Sequence, residues 1–333
     1  MEIFVLLLLG VILFFAVIYR LRNDKKTVLI NRIPGPKCYP ILGTTLPVML
    51  MTKPERFVYL RSLVQKFGPL YRTWLGRAAM VNLADPNYVE LILNNTTHNE
   101  KGIVYNFVLP WLGNGLITSK GTKWHQHRKL ITPTFHFQIL ETFMDVFVAK
   151  SKLLVKLLES KADGITTFDI FPYITHCTLD IIAETAMGIQ VNAMLEEDNR
   201  YAQAVSGLCG EFANRAAKGW LSYDFIYYKT SYGAKFLEYL STLHNTTNKV
   251  IHERRILRQK TGRENVAEDE FGRKKRRAFL DLLMDLSQNE NALTEREIKE
   301  EVNTFMFAGH DTTTSSTSWT LFLLGLHQDI QVR

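Results

Sequence analysis

The 333 residues are 46% hydrophobic and 11% aromatic, which supplies a large core and excludes a disordered chain. The net charge of +7 is spread along the sequence with no zinc-finger or RNA-binding signature, so it suits an anionic membrane face or an acidic partner rather than nucleic acid. Three scattered cysteines, Cys38, Cys177 and Cys209, offer no disulfide framework and point to a reducing compartment.

The chain opens with an apolar run from Ile3 to Tyr19, followed at once by Arg20, Arg22, Lys25 and Lys26. About 17 residues is the short end of a spanning helix, and a cleaved signal peptide is the alternative. Glu2 in place of a positive n-region, and no small-x-small site before the arginines, favour a retained anchor over residues 1–20. The positive flank then places the remainder in the cytosol. Ile33-Pro34-Gly35-Pro36 and Pro40-Ile41-Leu42-Gly43 exclude helix, so 21–43 reads as a basic, stiff hinge before a single domain over 44–333.

Pro54 to Phe67 reads as a short helix stopped by Gly68-Pro69. Leu70–Leu75 and Ala78–Ala84 read as two strands around a Gly76-Arg77 turn, and Asp85-Pro86 opens another helix. In Trp124-His125-Gln126-His127-Arg128-Lys129, Trp124 and Arg128 share a helix face, and Arg suits a carboxylate through its paired donors. A surface helix with a chance aromatic explains the same spacing. His125, His127 and His136 complete no metal pattern and read as solvated or polar-core residues.

Amphipathic helices follow at Phe143–Leu158 and Phe168–Met187, placing the chain in the mainly helical class. Ala202 to Leu243 is aromatic-rich (Phe212, Trp220, Tyr223, Phe225, Tyr227, Tyr228, Phe236, Tyr239), most of it core by expectation. Arg258 to Arg277 is a charge-dense loop, whose Lys274–Arg277 run suits a solvated loop better than a nuclear signal.

Thr294 to His327 has the marks of one long helix. Thr294 and Glu297 form a capping-box start, and no proline interrupts roughly 50 Å of helix. Such a helix crosses a whole domain. Its middle is odd: Phe305-Met306-Phe307 runs into Ala308-Gly309-His310-Asp311-Thr312-Thr313-Thr314 before Trp319 to Leu326 turn apolar again. Glycine costs about 1 kcal/mol in a helix interior, buried charge costs more, and Thr can bond back to the carbonyl four residues earlier. A polar helix face explains the pattern, and so does a gap that lets a ligand touch the backbone.

AGHDTT resembles the oxygen-activation motif of the cytochrome P450 superfamily, and the wider EVNTFMFAGHDTT resembles its fatty-acid ω-hydroxylase and insect branch. The resemblance implies a mainly α fold with a small β-sheet (α+β) and the 294–327 helix at its centre. It implies haem b (iron protoporphyrin IX), with Thr312 holding dioxygen or its ordered water and Asp311 feeding protons. Ala308 and Gly309 make room over the haem, and Trp124 and Arg128 bond a propionate. Many members of this branch have a Glu at the Ala308 position that links covalently to haem, so the haem here is expected to be non-covalent. The Pro-rich stretch resembles the hinge of microsomal members, which implies the endoplasmic reticulum membrane with the domain facing the cytosol. It also implies NADPH-cytochrome P450 reductase and cytochrome b5 as partners, a lipophilic substrate (fatty acid, hormone or xenobiotic), and a substrate-choosing roof in the aromatic-rich region.

The family's axial Cys loop, F-x-x-G-x-x-x-C-x-G, and its E-x-x-R helix do not occur before Arg333 in matching context. Cys209 in SGLCGEF lacks the Phe and the spacing, Glu270–Arg273 lies in the charged loop, and Pro54–Phe57 lies far too early. No metal ligand is therefore assigned. The chain reads as the N-terminal two-thirds of a membrane-bound haem-thiolate monooxygenase, with a sheet edge lacking partners and a long helix lacking its covering layer. The alternatives are a naturally truncated, inactive binding or dominant-negative form, and a lumenal glycoprotein carrying the sequons at Asn94, Asn95 and Asn245.

Overall fold

The structure is a computed structural model that describes residues 24–95, 100–196, 199–261, 278–289 and 292–331. The expected anchor at 1–20 and loop residues 262–277 lie outside the described residues. In chain order the elements are α1 (Lys25–Asn31), α2 (Leu46–Met49), α3 (Lys53–Phe67), β1 (Leu70–Leu75), β2 (Ala78–Leu83), α4 (Pro86–Leu93), α5 (Leu109–Leu112) and α6 (Gly121–Ile131). They continue with α7 (Phe137–Glu141), α8 (Met144–Glu159), α9 (Phe171–Ile182), α10 (Arg200–Ala217), α11 (Asp224–Tyr227), α12 (Ser231–Thr261), α13 (Phe279–Asn289), α14 (Glu295–Leu326) and α15 (Gln328–Gln331). The fold is mainly α with a small β-sheet, as expected, and two compact units share it.

The first unit takes the described residues of 1–104 together with 210–235. Its sheet is the antiparallel pair β1–β2, in register from Leu70↔Leu83 to Leu75↔Ala78, closed by a two-residue turn in which Gly76 takes φ 58°. The Pro-rich stretch lies along β1: Arg72 N–H donates to Pro34 O at 2.8 Å, and Thr44 N–H donates to Trp74 O at 2.8 Å. This covers part of the strand edge that the sequence reading left bare. A Cβ on Gly43 would strike the Trp74 carbonyl, so only glycine permits that approach. Thr52 and Glu55 cap α3 reciprocally, and Gly68 at φ 86° ends it. In the aromatic-rich span, Arg215 is buried, donates to Leu221 O at 3.0 Å and to Asp224, and lies 4.2 Å from the Tyr227 ring centroid. Phe225 is exposed, so that span is not wholly core.

The second unit takes the described residues of 105–209 and 236–333 and is built around α14. Thr294 accepts from Glu297 N–H while the Glu297 carboxylate accepts from Thr294 N–H at 2.9 Å, and the helix then runs 32 residues unbroken. Its N-terminal half is buried on most sides: Ile298, Val302 and Met306 are core residues, each contributing about 1.5–3 kcal/mol by the area removed from water. α9 packs along α14, and α8 backs α9. α9 ends earlier than its apolar pattern suggests, in a π turn over Ala183–Met187 closed by left-handed Gly188. The buried Asp180 carboxylate accepts from Ala193 N–H at 2.6 Å and Met194 N–H at 3.2 Å, which fixes the chain beyond that turn. Arg254 forks onto Asp281 at 2.8 and 2.5 Å and reaches Gly188 O at 2.8 Å, while Arg258 meets Asp285 at 2.5 Å. Arg258 thus belongs to α12, where the charge pattern suggested a loop.

Candidate functional site

α14 divides along its length. Up to Met306 it is core; beyond it Thr312, Thr313, Ser316 and Trp319 are exposed, with Ala308 and Asp311 half-buried. Trp319 (66% exposed), Phe322, Leu323 and Leu326 continue as an uncovered apolar strip among the described residues, as expected for this helix.

In the changeover region side chains take up backbone carbonyls one after another. His310 Nδ1 lies 2.6 Å from Met306 O, Thr312 Oγ1 donates to Ala308 O at 2.6 Å, and Thr313 Oγ1 donates to Gly309 O at 2.8 Å. Thr178 of α9 reaches His310 O at 3.3 Å and shares a buried 2.7 Å hydrogen bond with Thr314. The threonine run is therefore two devices: Thr314 locks α14 to α9, while Thr312 lies on the open side. The Thr312 proton is engaged by Ala308 O, so its oxygen presents lone pairs to whatever sits there.

Ala308 and Thr312 share a half-open face one turn apart, as expected. Gly309 does not open onto a free space: a Cβ built on it would lie 2.6 Å from Ile182 Cδ1, so its missing side chain lets α9 close on α14. Asp311 accepts no hydrogen bond among the described residues, and it raises the Cys209 thiol after burial, which is the larger cause; together they push it up to about 12. Burial likewise lifts Cys177 to about 11, so both thiols are held protonated rather than offered as thiolates. Burial pushes the His310 imidazole down, opposed by its Met306 contact and by Asp311.

Trp124 and Arg128 lie on the half-open and exposed side of α6, and neither the indole N–H nor the guanidinium has a partner among the described residues. Two unpaired donors one turn apart on a helix suit the carboxylate arms of a ligand. An adjoining side of α6, carrying His127 and Ile131, is buried. There His127, expected to be solvated or polar core, meets the fully buried Glu301 at 2.7 Å. Glu301, Asn303 and Thr178 were not singled out in the sequence. A Glu at the 297/301 spacing of one face was the available signal, but EREIKEE holds four carboxylates that compete for it. Phe305, one turn before Ala308, stacks on Phe135 (centroids 5.5 Å) and meets Phe279 in a tilted contact (4.2 Å), which brings the end of the α6 segment against α14.

These residues fit the haem that the sequence motif implies: small Ala308 on an open face, an acceptor oxygen on Thr312, and unpaired donors on Trp124 and Arg128 for anionic arms. A model of the family described as Cytochrome P450 matches residues 33–333. The chain belongs to the cytochrome P450 family. It is 41% identical over 333 residues to Cytochrome P450 4c21 of Blattella germanica, spanning 99% of this chain and 66% of that protein. Cytochrome P450 4c3 of Drosophila melanogaster is 42% identical over 337 residues, which is 98% of this chain and 63% of the relative. Human Cytochrome P450 4V2 is 39% identical over 305 residues, 89% of this chain and 57% of the relative. The chain thus spans about two-thirds or less of the length of these cytochrome P450 relatives.

Proposed function

We propose that this chain is part of a membrane-bound haem-thiolate monooxygenase that inserts one atom of dioxygen into a lipophilic substrate such as a fatty acid, hormone or xenobiotic. When bound, the haem supplies the oxygen chemistry. Trp124 and Arg128 hold its carboxylate arms through their unpaired donors. Ala308 lies at its face, and having no carboxyl group it leaves the haem non-covalent. Thr312, its proton fixed on Ala308 O at 2.6 Å, would accept a hydrogen bond from a water and so keep a donor in place. Asp311, one residue earlier and free of any hydrogen bond among the described residues, takes protons from solvent and passes them toward the Thr312 oxygen. Neither Cys177 nor Cys209 lies in the F-x-x-G-x-x-x-C-x-G context, so the axial sulfur is assigned to neither.

The apolar run at Ile3–Tyr19 with its basic flank supports anchoring in the endoplasmic reticulum membrane, with the domain in the cytosol. Among the described residues no helix is long and apolar enough to cross a membrane, and the run lies outside them. Electrons come from NADPH through NADPH-cytochrome P450 reductase, with cytochrome b5 as a second partner.

The observation that carries the reading is the open Ala308–Thr312 face on a helix whose opposite side is buried at His310 and Thr314. Full-length protein reconstituted with reductase and NADPH, and offered a panel of fatty acids and other lipophiles, is expected to give hydroxylated product and the haem-thiolate carbon-monoxide spectrum. Neither signal in haem-loaded protein would overturn the proposal.

A further inference from the structure

α6 is eleven residues long, too short to hold its helical form without tertiary contacts. Trp124, half-buried and edge-on to His125, and the exposed Arg128 have no side-chain hydrogen-bond partner among the described residues that fixes their direction. That direction is set from the buried side. His127 Nδ1 lies 2.7 Å from Glu301 Oε1, and the other Glu301 oxygen accepts the Leu116 N–H at 3.1 Å. His127 Nε2 lies 3.5 Å from Glu297, whose carboxylate also meets Lys123 at 3.1 Å. Lys123 is partly solvated, so its ion pairs hold less firmly. Glu301 is 0% exposed and His127 4%, so no water can replace either partner. Successive helix residues stand about 100° apart, and a rotation of α6 that freed His127 would swing the adjacent Arg128 by the same angle.

We infer that Glu301 is a positioning residue: through His127 it sets the rotation of α6, and with it the direction in which Trp124 and Arg128 present their donors to the haem carboxylates. This rests on the haem reading proposed above. A pair that merely docks α6 would stabilise the fold without acting through those donors, and the two roles separate experimentally.

The measurement is the rate of haem transfer from the haem-loaded full-length protein to excess apomyoglobin, with thermal unfolding recorded in parallel. Trp124→Phe/Arg128→Ala, which removes both donors, is expected to release haem about tenfold faster or more, the size of one charge-assisted hydrogen bond. Glu301→Gln keeps the shape and the acceptor for Leu116, and is expected to speed release severalfold. Combined with the donor double variant it is expected to add nothing, because no donor remains to be misdirected. His127→Asn, which keeps a donor near the Nδ1 position, is expected to release haem like the parent, and it tests the inference even if Glu301→Gln fails to fold.

Unchanged release in the donor double variant would overturn the haem reading itself. Faster release in that variant but parental release in Glu301→Gln would overturn the inference alone. So would an equal acceleration by Glu301→Gln in both backgrounds, which is the mark of a purely structural pair. Release from His127→Asn as fast as from the donor double variant would also overturn it.

Discussion

Ile182 fills the space that Gly309 leaves empty: a Cβ on Gly309 would stand 2.6 Å from Ile182 Cδ1. The glycine in the middle of α14 therefore answers to the neighbouring helix. Gly309→Ala should destabilise the protein by about 1–3 kcal/mol, as overpacking does, even though alanine favours a helix interior. Shortening the neighbour with Ile182→Val should recover part of that loss, so the two changes would be non-additive in denaturant unfolding. Strict additivity would place the Gly309 requirement elsewhere.

His127 and Glu301 set up a second test. His127→Ala strands a fully buried carboxylate, with an expected loss of about 3–5 kcal/mol in urea unfolding. Replacing both partners by apolar residues of similar size, as in His127→Leu/Glu301→Leu, should cost less than His127→Ala alone. A loss below about 1 kcal/mol for His127→Ala would mean that water or another group satisfies Glu301.

Glu297 gives a pH prediction. Burial raises its pKa, but hydrogen bonds from Thr294 and the charge of Lys123 outweigh it and bring the carboxyl down to about 2 from 4.5. The folded state thus binds the proton less tightly than the unfolded one. The contribution is fully present above about pH 4.5 and disappears as pH falls toward 2. It amounts to at most about 3 kcal/mol, less where solvent screens the pair. Glu297→Gln should lower stability at neutral pH and flatten its decline on the acid side. An unchanged acid limb would remove Glu297 from the account.

What the sequence could show follows from which forces are local. Thr294 with Glu297, Asp85-Pro86 and the Gly76-Arg77 turn are local signals, and the structure has the corresponding helix starts and hairpin within a residue. The long helix was legible because nothing in it breaks a helix. The packing that gives its middle residues separate roles was not. Gly309, Thr312 and Thr314 lie within six residues of one another, yet one meets Ile182, one the Ala308 carbonyl and one Thr178. Which side of α14 faces α9 is decided by residues more than a hundred positions away. The same holds for His127, whose partner Glu301 is 174 residues distant. Trp124 and Arg128, by contrast, stand out in sequence and structure alike because their donors have no hydrogen-bond partner among the described residues.

The most direct test of the central claim, that the Ala308–Thr312 face is where dioxygen is handled, is the ratio of hydrogen peroxide released to NADPH consumed in Thr312→Ala, measured in the reconstituted full-length protein. The account predicts a several-fold rise in that ratio with a matching fall in product, and near-parental values for Thr312→Ser, which keeps the oxygen. An unchanged ratio in Thr312→Ala would contradict it and leave the Thr312 hydroxyl with no role beyond its bond to Ala308.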